Sequence, residues 1–403
     1  MKPIYLDHNA TTIMEQGAQG ALLLYSSTLS DSHSNFGNAS SIHAAGRKGK
    51  AAIEDARELI AAAFGIEEPE DICFTASATE SINTALKGFF FQQQKLGLRA
   101  HFITTEVEHE ATLDTLRFLA ELGAAVAIMP VNSQGELDLG ILEGLLKEVK
   151  GEPTLVSMMA ANNETGVIFP WAEAAAIAKK YGALFHLDAV QAPGKLPGFT
   201  LAGAPVDLAS FSAHKIGGAK GVGALLIRRG VKLIPLLHGG AHERSRRAGT
   251  MNVAGIAAFG AAAAALAKKD LNETDRLRKL LEELVVAGVP GAQIQGSKAK
   301  RLVNTSNFLF ADVRGESLLM GLDLEGYALS SGSACNSGTI LPSHVLLAMG
   351  FDKLAAQSAL RVSLGSGNTE EEIRGFVLVL MRVVERIRAQ PQRASLRTGI
   401  PAH

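Results

Sequence analysis

The stretch between about residues 50 and 230 alternates short apolar runs with longer amphipathic segments. The apolar runs ITTEVE, AAVAIMPV, TLVSMMA and ALFHLDAV predict buried strands. Between them, EATLDTLRFLAELG and WAEAAAIAKKYG carry apolar residues at helical spacing. This alternation predicts an α/β fold, in which helices cover both faces of a parallel sheet. Ligands of such sheets bind outside the carboxyl ends of the strands, so polar residues there are the first functional candidates.

The pattern changes near residue 260, which suggests a second structural unit. An alanine-rich helix and the charged helix ETDRLRKLLEELVVAG are followed by SNFLFADV, RVSLGS and the amphipathic FVLVLMRVVERIRA. These segments predict a smaller α+β domain. We expect a large domain over residues 16–260, a small domain from residues 1–15 and 261–390, and a frayed polar tail over 391–403.

Composition narrows the function classes. The 403 residues suffice for more than one domain. With 39 Lys plus Arg against 40 Asp plus Glu, the net charge is -1, so no binding to nucleic acid or to an anionic membrane is expected. The start, MKPIYLDHNATT, lacks an apolar h-region, so no signal peptide is expected. The apolar run over 253–267 is too short and too alanine-rich to span a bilayer and predicts a closely packed helix.

The two cysteines differ in their surroundings. Cys335 lies in SSGSACNSG, a Gly- and Ser-rich run typical of mobile surface loops. It is either a reactive thiol or an incidental surface residue. Cys73, in the apolar run ICFTAS, is expected to be inert core. Two cysteines make no disulfide framework, and Cys335 has no Cys or His at ligand spacing. We therefore expect a cytoplasmic location and no metal site.

Three segments at predicted strand ends contain candidate functional residues. In DICFTASATES, Ser77 and Glu80 predict a capping box at the start of a helix. This helix start is either a phosphate-binding site or a plain N-cap. In ALFHLDAVQ, Asp188 ends a strand, where an acid can bind a metal, a ribose or a protonated ring nitrogen, or simply cap a helix. In SFSAHK, Lys215 is either a solvated surface lysine or, if burial lowers its pKa, a Schiff-base lysine.

In combination, these three segments indicate one cofactor more specifically than any single segment does. Pyridoxal phosphate needs a Schiff-base lysine, an acid at its pyridine nitrogen and a phosphate site. An imidazole can also cover the ring, and His109 in EVEH is available for this, unless it is an ordinary helix-terminal residue.

The same motifs carry a family resemblance. LDHNATT, FTASATES, EVEH, NNETG, HLDAVQ, SFSAHKIGGAKGVGAL, RAGT, SSGSAC and RVSLG occur in this order between Ile4 and Leu364. In this the chain resembles the cysteine desulfurases of the NifS/IscS type, within the class V aminotransferase superfamily. The resemblance implies a pyridoxal-phosphate-dependent homodimer of fold type I with active sites at the subunit interface. Its large domain would hold a mainly parallel seven-stranded sheet, beside a smaller α+β domain.

The resemblance also implies roles for individual residues. Lys215 would hold the cofactor covalently, Asp188 would pair with the pyridinium nitrogen, Gln191 would contact the phenolic oxygen, and His109 would stack on the ring. The phosphate would be bound by Ala78, Thr79, Ser212 and His214, and by Thr250 of the partner subunit. The family's usual Ser-Gly is replaced here by Ala76-Ser77, and HGGAHERSRRAGT differs from the usual GGGQE-type stretch.

For the substrate, the resemblance implies that Asn163 and Arg361 lie near the carboxylate and that Cys335 accepts the sulfur. Its loop, about 330–342, matches the long-loop subgroup, whose cysteine can swing toward an acceptor. His109 is a candidate base for the Cys335 thiol.

The implied activity converts L-cysteine to L-alanine and leaves a persulfide on the enzyme. The sulfur would go on to an acceptor protein, such as an iron–sulfur scaffold, or to a thiolation pathway. Another class V enzyme (a selenocysteine lyase, a cysteine sulfinate desulfinase or an aminotransferase) would need Lys215 and Asp188 but not Cys335. A non-catalytic binding scaffold would need none of the three.

Overall fold

The computed structural model describes residues 3–26, 35–331 and 341–389. Cys335, most of the loop predicted over 330–342 and the tail over 391–403 lie outside these residues. The strands are β1 (Ile4–Tyr5), β2 (Ile72–Thr75), β3 (His101–Thr105), β4 (Ala125–Met129), β5 (Thr154–Met159), β6 (Leu184–Asp188), β7 (Leu208–Ser212), β8 (Gly223–Ile227), β9 (Ala292–Ile294), β10 (Thr305–Phe310), β11 (Tyr327–Ala328) and β12 (Ala359–Ser363).

The helices alternate with these strands over the first two thirds of the chain. They are α1 (Gln16–Ser26), α2 (Ala44–Phe64), α3 (Ala78–Lys95), α4 (Glu110–Glu121), α5 (Leu139–Glu148), α6 (Trp171–Lys180), α7 (Val253–Ala265), α8 (Leu271–Gly288), α9 (Gly315–Leu324), α10 (His344–Ala348), α11 (Lys353–Gln357) and α12 (Glu370–Ala389).

Strands β2 to β8 form a seven-stranded sheet in the order β2-β8-β7-β6-β5-β3-β4. Strand β8 is antiparallel to both neighbours, and the other adjacent pairs are parallel. The Gly-rich turn between β7 and β8 is too short for a helical crossover, so β8 returns in the opposite direction. The predicted α/β fold and its mainly parallel seven-stranded sheet are confirmed.

The middle of this sheet is buried because helices cover it. Every residue of β5 and β7 is buried, as expected for parallel strands covered on both faces. Helices α1 and α2 pack against α7. A Cβ added at Gly260 of α7 would lie 2.6 Å from Ala56 Cα, so small residues let these two helices approach closely. The apolar run over 253–267 is thus a closely packed helix, as predicted.

A second sheet and a separate core lie in the last third of the chain. Strands β12, β10 and β9 form an antiparallel sheet in that order, while β1 pairs with β11 in parallel. Leu6, directly after β1, packs into a hydrophobic cluster built from residues between Leu277 and Val384. The amino-terminal strand therefore joins the carboxyl-terminal part of the fold. The domain boundaries at residues 16 and 260 stay a prediction.

Across the three described ranges, no helix is both long and apolar enough to cross a membrane.

Candidate active site

Asp188 and Lys215 lie at the same edge of the central sheet. Asp188 is the last residue of β6, and Lys215 ends a short 3-10 turn, Ala213–Lys215, directly after β7. The two strands are parallel neighbours, with Asp188 paired to Ser210. Each side chain perturbs the pKa of the other, so the carboxylate and the amine lie near each other at the carboxyl ends of the strands.

Lys215 is held by backbone oxygens of the amino-terminal segment. Its Nζ donates to Asn9 O at 2.5 Å and to Ala10 O at 2.8 Å. Burial lowers the pKa of Lys215 to about 8; the charge of Arg361 adds to this shift, and Asp188 opposes it. A neutral amine is therefore accessible close to neutral pH, as Schiff-base chemistry requires. A fully solvated surface lysine would not have this pKa.

Asp188 is 6% exposed. Burial raises the pKa of Asp188, while the N–H of Val190, 3.0 Å from Oδ1, and the charges of His109 and Lys215 lower it. Across the described ranges, the carboxylate forms no ion pair. A cation placed beside it would therefore stabilise its ionised form.

His109 caps helix α4. Its Nδ1 accepts a hydrogen bond from the N–H of Ala111 at 3.0 Å, so a neutral ring carries its proton on Nε2. The side chain is exposed and close enough to Asp188 to affect the pKa of that carboxyl. His109 is thus a helix-terminal residue and also borders the candidate site.

Asn9 connects several of the predicted site residues. Its carbonyl oxygen accepts from Lys215 and, at 3.1 Å, from Nε2 of Gln191. Its own Nδ2 donates to the carbonyl oxygen of Asn163 at 3.1 Å. The buried Lys195 completes the cluster, with Nζ 2.5 Å from Gln191 Oε1. Neither Asn9 nor Lys195 was predicted as a site residue, although LDHNATT contains the first and the residues just after HLDAVQ contain the second.

Arg361, on β12, is 4% exposed. Its Nη2 lies 2.7 Å from Asp7 Oδ1, and its Nη1 donates to the carbonyl oxygen of Asn163 at 3.1 Å. Arg361 Nε is buried and has no hydrogen-bond partner in the described part of the chain. Asp7 is another residue that the sequence reasoning missed, and the acid in LDHNATT was the available signal.

The predicted phosphate site lies at the start of α3. Ser77 Oγ accepts from the N–H of Glu80 at 3.1 Å, and Glu80 Oε2 accepts from the N–H of Ala76 at 2.9 Å. The predicted capping box is therefore present, with the carboxylate bound one residue before the N-cap. A Cβ at Gly223 of β8 would lie 2.5 Å from the carbonyl carbon of Ser77, so only glycine permits this approach. Thr79 is exposed at the helix start.

The remaining predicted phosphate residues are placed as follows. Ser212 is buried at the end of β7. His214 Nδ1 lies 3.1 Å from Thr11 Oγ1, and burial lowers the pKa of His214 to about 4, so the ring is neutral at neutral pH. Thr250 is exposed before α7, and no hydrogen bond or ion pair of the described residues links it to the cluster around Lys215.

Cys73 is 1% exposed, and burial raises the pKa of its thiol to about 12. This confirms the predicted core position. The described ranges contain no group of three or more His, Cys, Asp or Glu side chains that could hold a metal ion.

Comparison with known proteins agrees with this arrangement. The family model for class-V aminotransferases matches residues 4–376, and the chain therefore belongs to that family. A cysteine desulfurase from Nostoc sp. is 42% identical over 392 residues, which cover 96% of this chain and 94% of the relative. The cysteine desulfurase IscS of Dictyoglomus turgidum is 42% identical over 390 residues, which cover 96% of each.

Solved structures give the same assignment. A NifS-like protein superposes with a TM-score of 0.86 at 37% identity, covering 95% of this chain and 100% of the other. Within the class-V family, the chain is a member of the cysteine desulfurase group of the NifS/IscS type. The resemblance read from the sequence motifs is confirmed. Dependence on pyridoxal phosphate and sulfur transfer are typical of this group.

Proposed function

We propose that this chain is a pyridoxal-phosphate-dependent cysteine desulfurase, which converts L-cysteine to L-alanine and transfers the sulfur to Cys335. One observation carries the proposal. Lys215, whose pKa is lowered to about 8, and the buried Asp188 follow adjacent parallel strands and lie close enough for each charge to shift the pKa of the other. A lysine that can lose its proton beside a carboxylate that lacks a cation suits this cofactor.

The residues present fit the cofactor at both ends. A protonated pyridine nitrogen would supply the cation that Asp188 lacks, and free N–H groups at the start of α3 suit a phosphate. Bound there, the cofactor supplies an electron sink for charge that develops on the substrate. The residues that would hold it are Lys215, Asp188, Gln191, His109, Asn163, Ala78, Thr79, Ser212 and His214, with Thr250 of the partner subunit.

Arg361 would bind the substrate carboxylate. Its Nε is a buried donor with no partner among the described residues, and a carboxylate would satisfy it by a charge-assisted hydrogen bond. Asp7 and the carbonyl oxygen of Asn163 hold the other two nitrogens, so the guanidinium is oriented before substrate arrives. Preorganisation of this kind lowers the cost of binding.

Lys215 would then move a proton at the substrate Cα. A neutral amine can take this proton, and the lowered pKa keeps that form populated. The Cys335 thiolate would attack the substrate Sγ, so that an S–S bond forms and the Cβ–Sγ bond breaks. The electron pair of the broken bond stays with the carbon skeleton, which gains a proton and leaves as alanine.

The thiol needs a base, because a free cysteine has a pKa of about 8.5. We propose His109 for this step. Its Nδ1 already accepts the N–H of Ala111, so it must release that bond to take a proton there. An unchanged pH–rate profile in a His109→Gln variant would remove His109 from this role.

Several partners belong to the same proposal. A homodimer and a sulfur-acceptor protein, such as an iron–sulfur scaffold, follow from the resemblance and stay predictions. The cytoplasmic location follows from the use of cysteine and also stays a prediction. The other class V activities are not favoured, since the relatives described above are cysteine desulfurases.

The experiment is reductive trapping of the cofactor. Borohydride treatment of the protein loaded with pyridoxal phosphate, followed by peptide mass spectrometry, should place the label on Lys215. Lys215→Ala should lose both the label and turnover of L-cysteine, while Lys220→Ala, at an exposed lysine five residues on, should keep both. A label elsewhere, or turnover retained by Lys215→Ala, would contradict the proposal.

A further inference from the structure

Lys195 is a buried lysine with neutral partners. It is 5% exposed, and its Nζ lies 2.5 Å from Gln191 Oε1, 3.3 Å from Asn9 Oδ1 and 3.4 Å from the carbonyl oxygen of His8. An ammonium group has three donors, and here there is one acceptor for each. Lys195 forms no ion pair within the three described ranges. Burial and the charges of Lys215, Lys269 and Arg361 lower the pKa of Lys195 well below its usual value, and the charge of Asp7 opposes this. The three acceptors favour its ammonium form, so contacts of a buried amine with uncharged groups require an explanation.

These contacts fix the orientation of the Gln191 amide. Oε1 accepts from Lys195, and Nε2 donates to the carbonyl oxygen of Asn9 at 3.1 Å. Rotating the amide by half a turn would place NH₂ against an ammonium and oxygen against a carbonyl oxygen. Both hydrogen bonds would then be lost, and two buried polar groups would be left unpaired. Gln191 therefore has one stable orientation.

In that orientation Gln191 keeps one N–H for a ligand. Its amide nitrogen has two hydrogens, and the described residues supply a partner for one of them, the carbonyl oxygen of Asn9. The same oxygen accepts from Lys215 Nζ. The remaining N–H thus lies near the amine to which the cofactor would attach. In pyridoxal phosphate the phenolic oxygen is on the carbon next to the one that bears the aldehyde.

We propose that Lys195 is a positioning residue, which holds the Gln191 amide so that its free N–H faces the phenolic oxygen of a cofactor attached to Lys215. The inference rests on the proposed function. Lys195 acts through Gln191 and need not touch the cofactor. Without Lys195, only the hydrogen bond to the carbonyl oxygen of Asn9 opposes rotation of the amide, and a rotated amide would present its oxygen, which would repel the phenolate.

Loss of the hydrogen bond to the phenolic oxygen can be measured as a change in the pH midpoint of the visible absorption band of the bound cofactor. A donor to the phenolic oxygen stabilises the form that has lost its proton. Removing that donor should therefore raise the midpoint, by about one pH unit for a hydrogen bond to a charged group. Removing a nearby positive charge would also raise it, so the design must separate the two effects.

A double-mutant cycle separates them. The midpoint is measured in the loaded parent and in the variants Lys195→Met, Gln191→Met and the double variant. If Lys195 acts through Gln191, Lys195→Met shifts the midpoint in the parent, but by less than about 0.3 unit in the Gln191→Met background. Lys195→Arg, which retains the donors, should stay near the parent value.

Lys269→Met is the matched control for charge. Lys269 lines the same cavity of about 200 Å³ as Lys195 and Lys215, and its Nζ contacts Glu15 and the carbonyl oxygen of Ile216. Its removal deletes one positive charge without touching Gln191, so any shift of the midpoint in Lys269→Met measures the effect of charge alone and should be smaller than the shift in Lys195→Met. Lys195→Ser, which leaves room for water, supplies the same comparison if the methionine variant does not fold.

Three results would contradict the positioning role of Lys195. An absent shift in Lys195→Met, or an equal shift in both backgrounds, would overturn the positioning role, and so would an equal shift in Lys269→Met. A parent protein that takes up no cofactor would instead overturn the proposed function, together with the inference that rests on it.

Discussion

The half-buried Asp7 and the buried Arg361 form an ion pair, with 2.7 Å between Oδ1 and Nη2, although 354 residues separate them in the chain. Asp7 also forms a β-bridge with Ser363, which brings the amino-terminal segment beside β12. The pair leaves Arg361 Nε without a described partner. The site that would bind the substrate carboxylate is thus built from opposite ends of the chain.

Replacing Asp7 tests this relationship. Asp7→Asn keeps an acceptor for Nη2 but leaves the buried guanidinium without its counter-charge. The free energy of unfolding should fall by about 1–3 kcal/mol, as measured by urea denaturation. Glu325→Gln, which removes an exposed ion pair with Arg382, should change it by about 0.5 kcal/mol or less. An Asp7→Asn variant as stable as the parent at neutral pH would show that the pair contributes nothing.

The carboxylate of Asp188 should matter for turnover more than for attachment of the cofactor. Asp188→Asn removes the charge that would keep the pyridine nitrogen protonated. Turnover of L-cysteine should fall on the order of 100-fold or more, while borohydride trapping at Lys215 persists. Asp207→Asn is the control, because Asp207 lies at the opposite end of β7 and accepts from the N–H of Phe185. Full turnover in Asp188→Asn would refute its assignment to the ring nitrogen.

The exposed hydroxyl of Thr79 should select for the phosphate. Thr79→Val removes one hydrogen bond to a charged group, so the Kd for pyridoxal phosphate should rise roughly 10-fold or more. The affinity for pyridoxal, which lacks the phosphate, should stay unchanged and serves as the internal control. Fluorescence titration of the apoprotein with both ligands measures this. Equal weakening for the two ligands would mean that Thr79 does not contact the phosphate.

Glu108 should make stability depend on pH. It is fully buried, its Oε1 accepts from Thr105 Oγ1 at 2.8 Å and from the N–H of Met159 at 3.0 Å, and burial raises its pKa to about 8. Between its ordinary value of 4.5 and about 8, the folded state holds more protons than the unfolded state. The contribution of Glu108 to stability is therefore fully present below that range and is lost as the pH rises through it.

Glu108→Gln, a mimic of the neutral carboxyl, should remove this dependence. The difference in free energy of unfolding between variant and parent should move in the variant's favour as the pH rises across that range. Glu110→Gln, at an exposed neighbouring position, should leave the parent's pH profile in place. A constant difference between Glu108→Gln and the parent at every pH would show that Glu108 does not titrate there.

Sequence patterns predict much of this fold because its main signals are local. Continuous apolar runs predict buried parallel strands, and the strand ends mark Asp188 and Lys215 as candidates, although the local pattern leaves their roles open. The capping box at Ser77 is equally local, since its partners lie within four residues.

The residues that were missed depend on contacts made across the chain. Asn9 meets Gln191 and Lys215 over 182 and 206 residues, and no periodicity in the sequence encodes such a meeting. Lys195 reads as an ordinary charged residue after a strand, because only the tertiary structure surrounds it with acceptors. For Cys335, in contrast, the role is predicted from the sequence motif alone, because its position lies outside the described residues.

The most direct test of the account is paired quantification of alanine and sulfide formed from L-cysteine with a reductant. It compares the intact protein with Cys335→Ala, and Cys73→Ala serves as the control because that thiol is buried in the core. The account predicts equal amounts of both products from the intact protein and from Cys73→Ala, and neither product from Cys335→Ala. Sulfide and alanine still released by Cys335→Ala, or no sulfide from the intact protein, would contradict it.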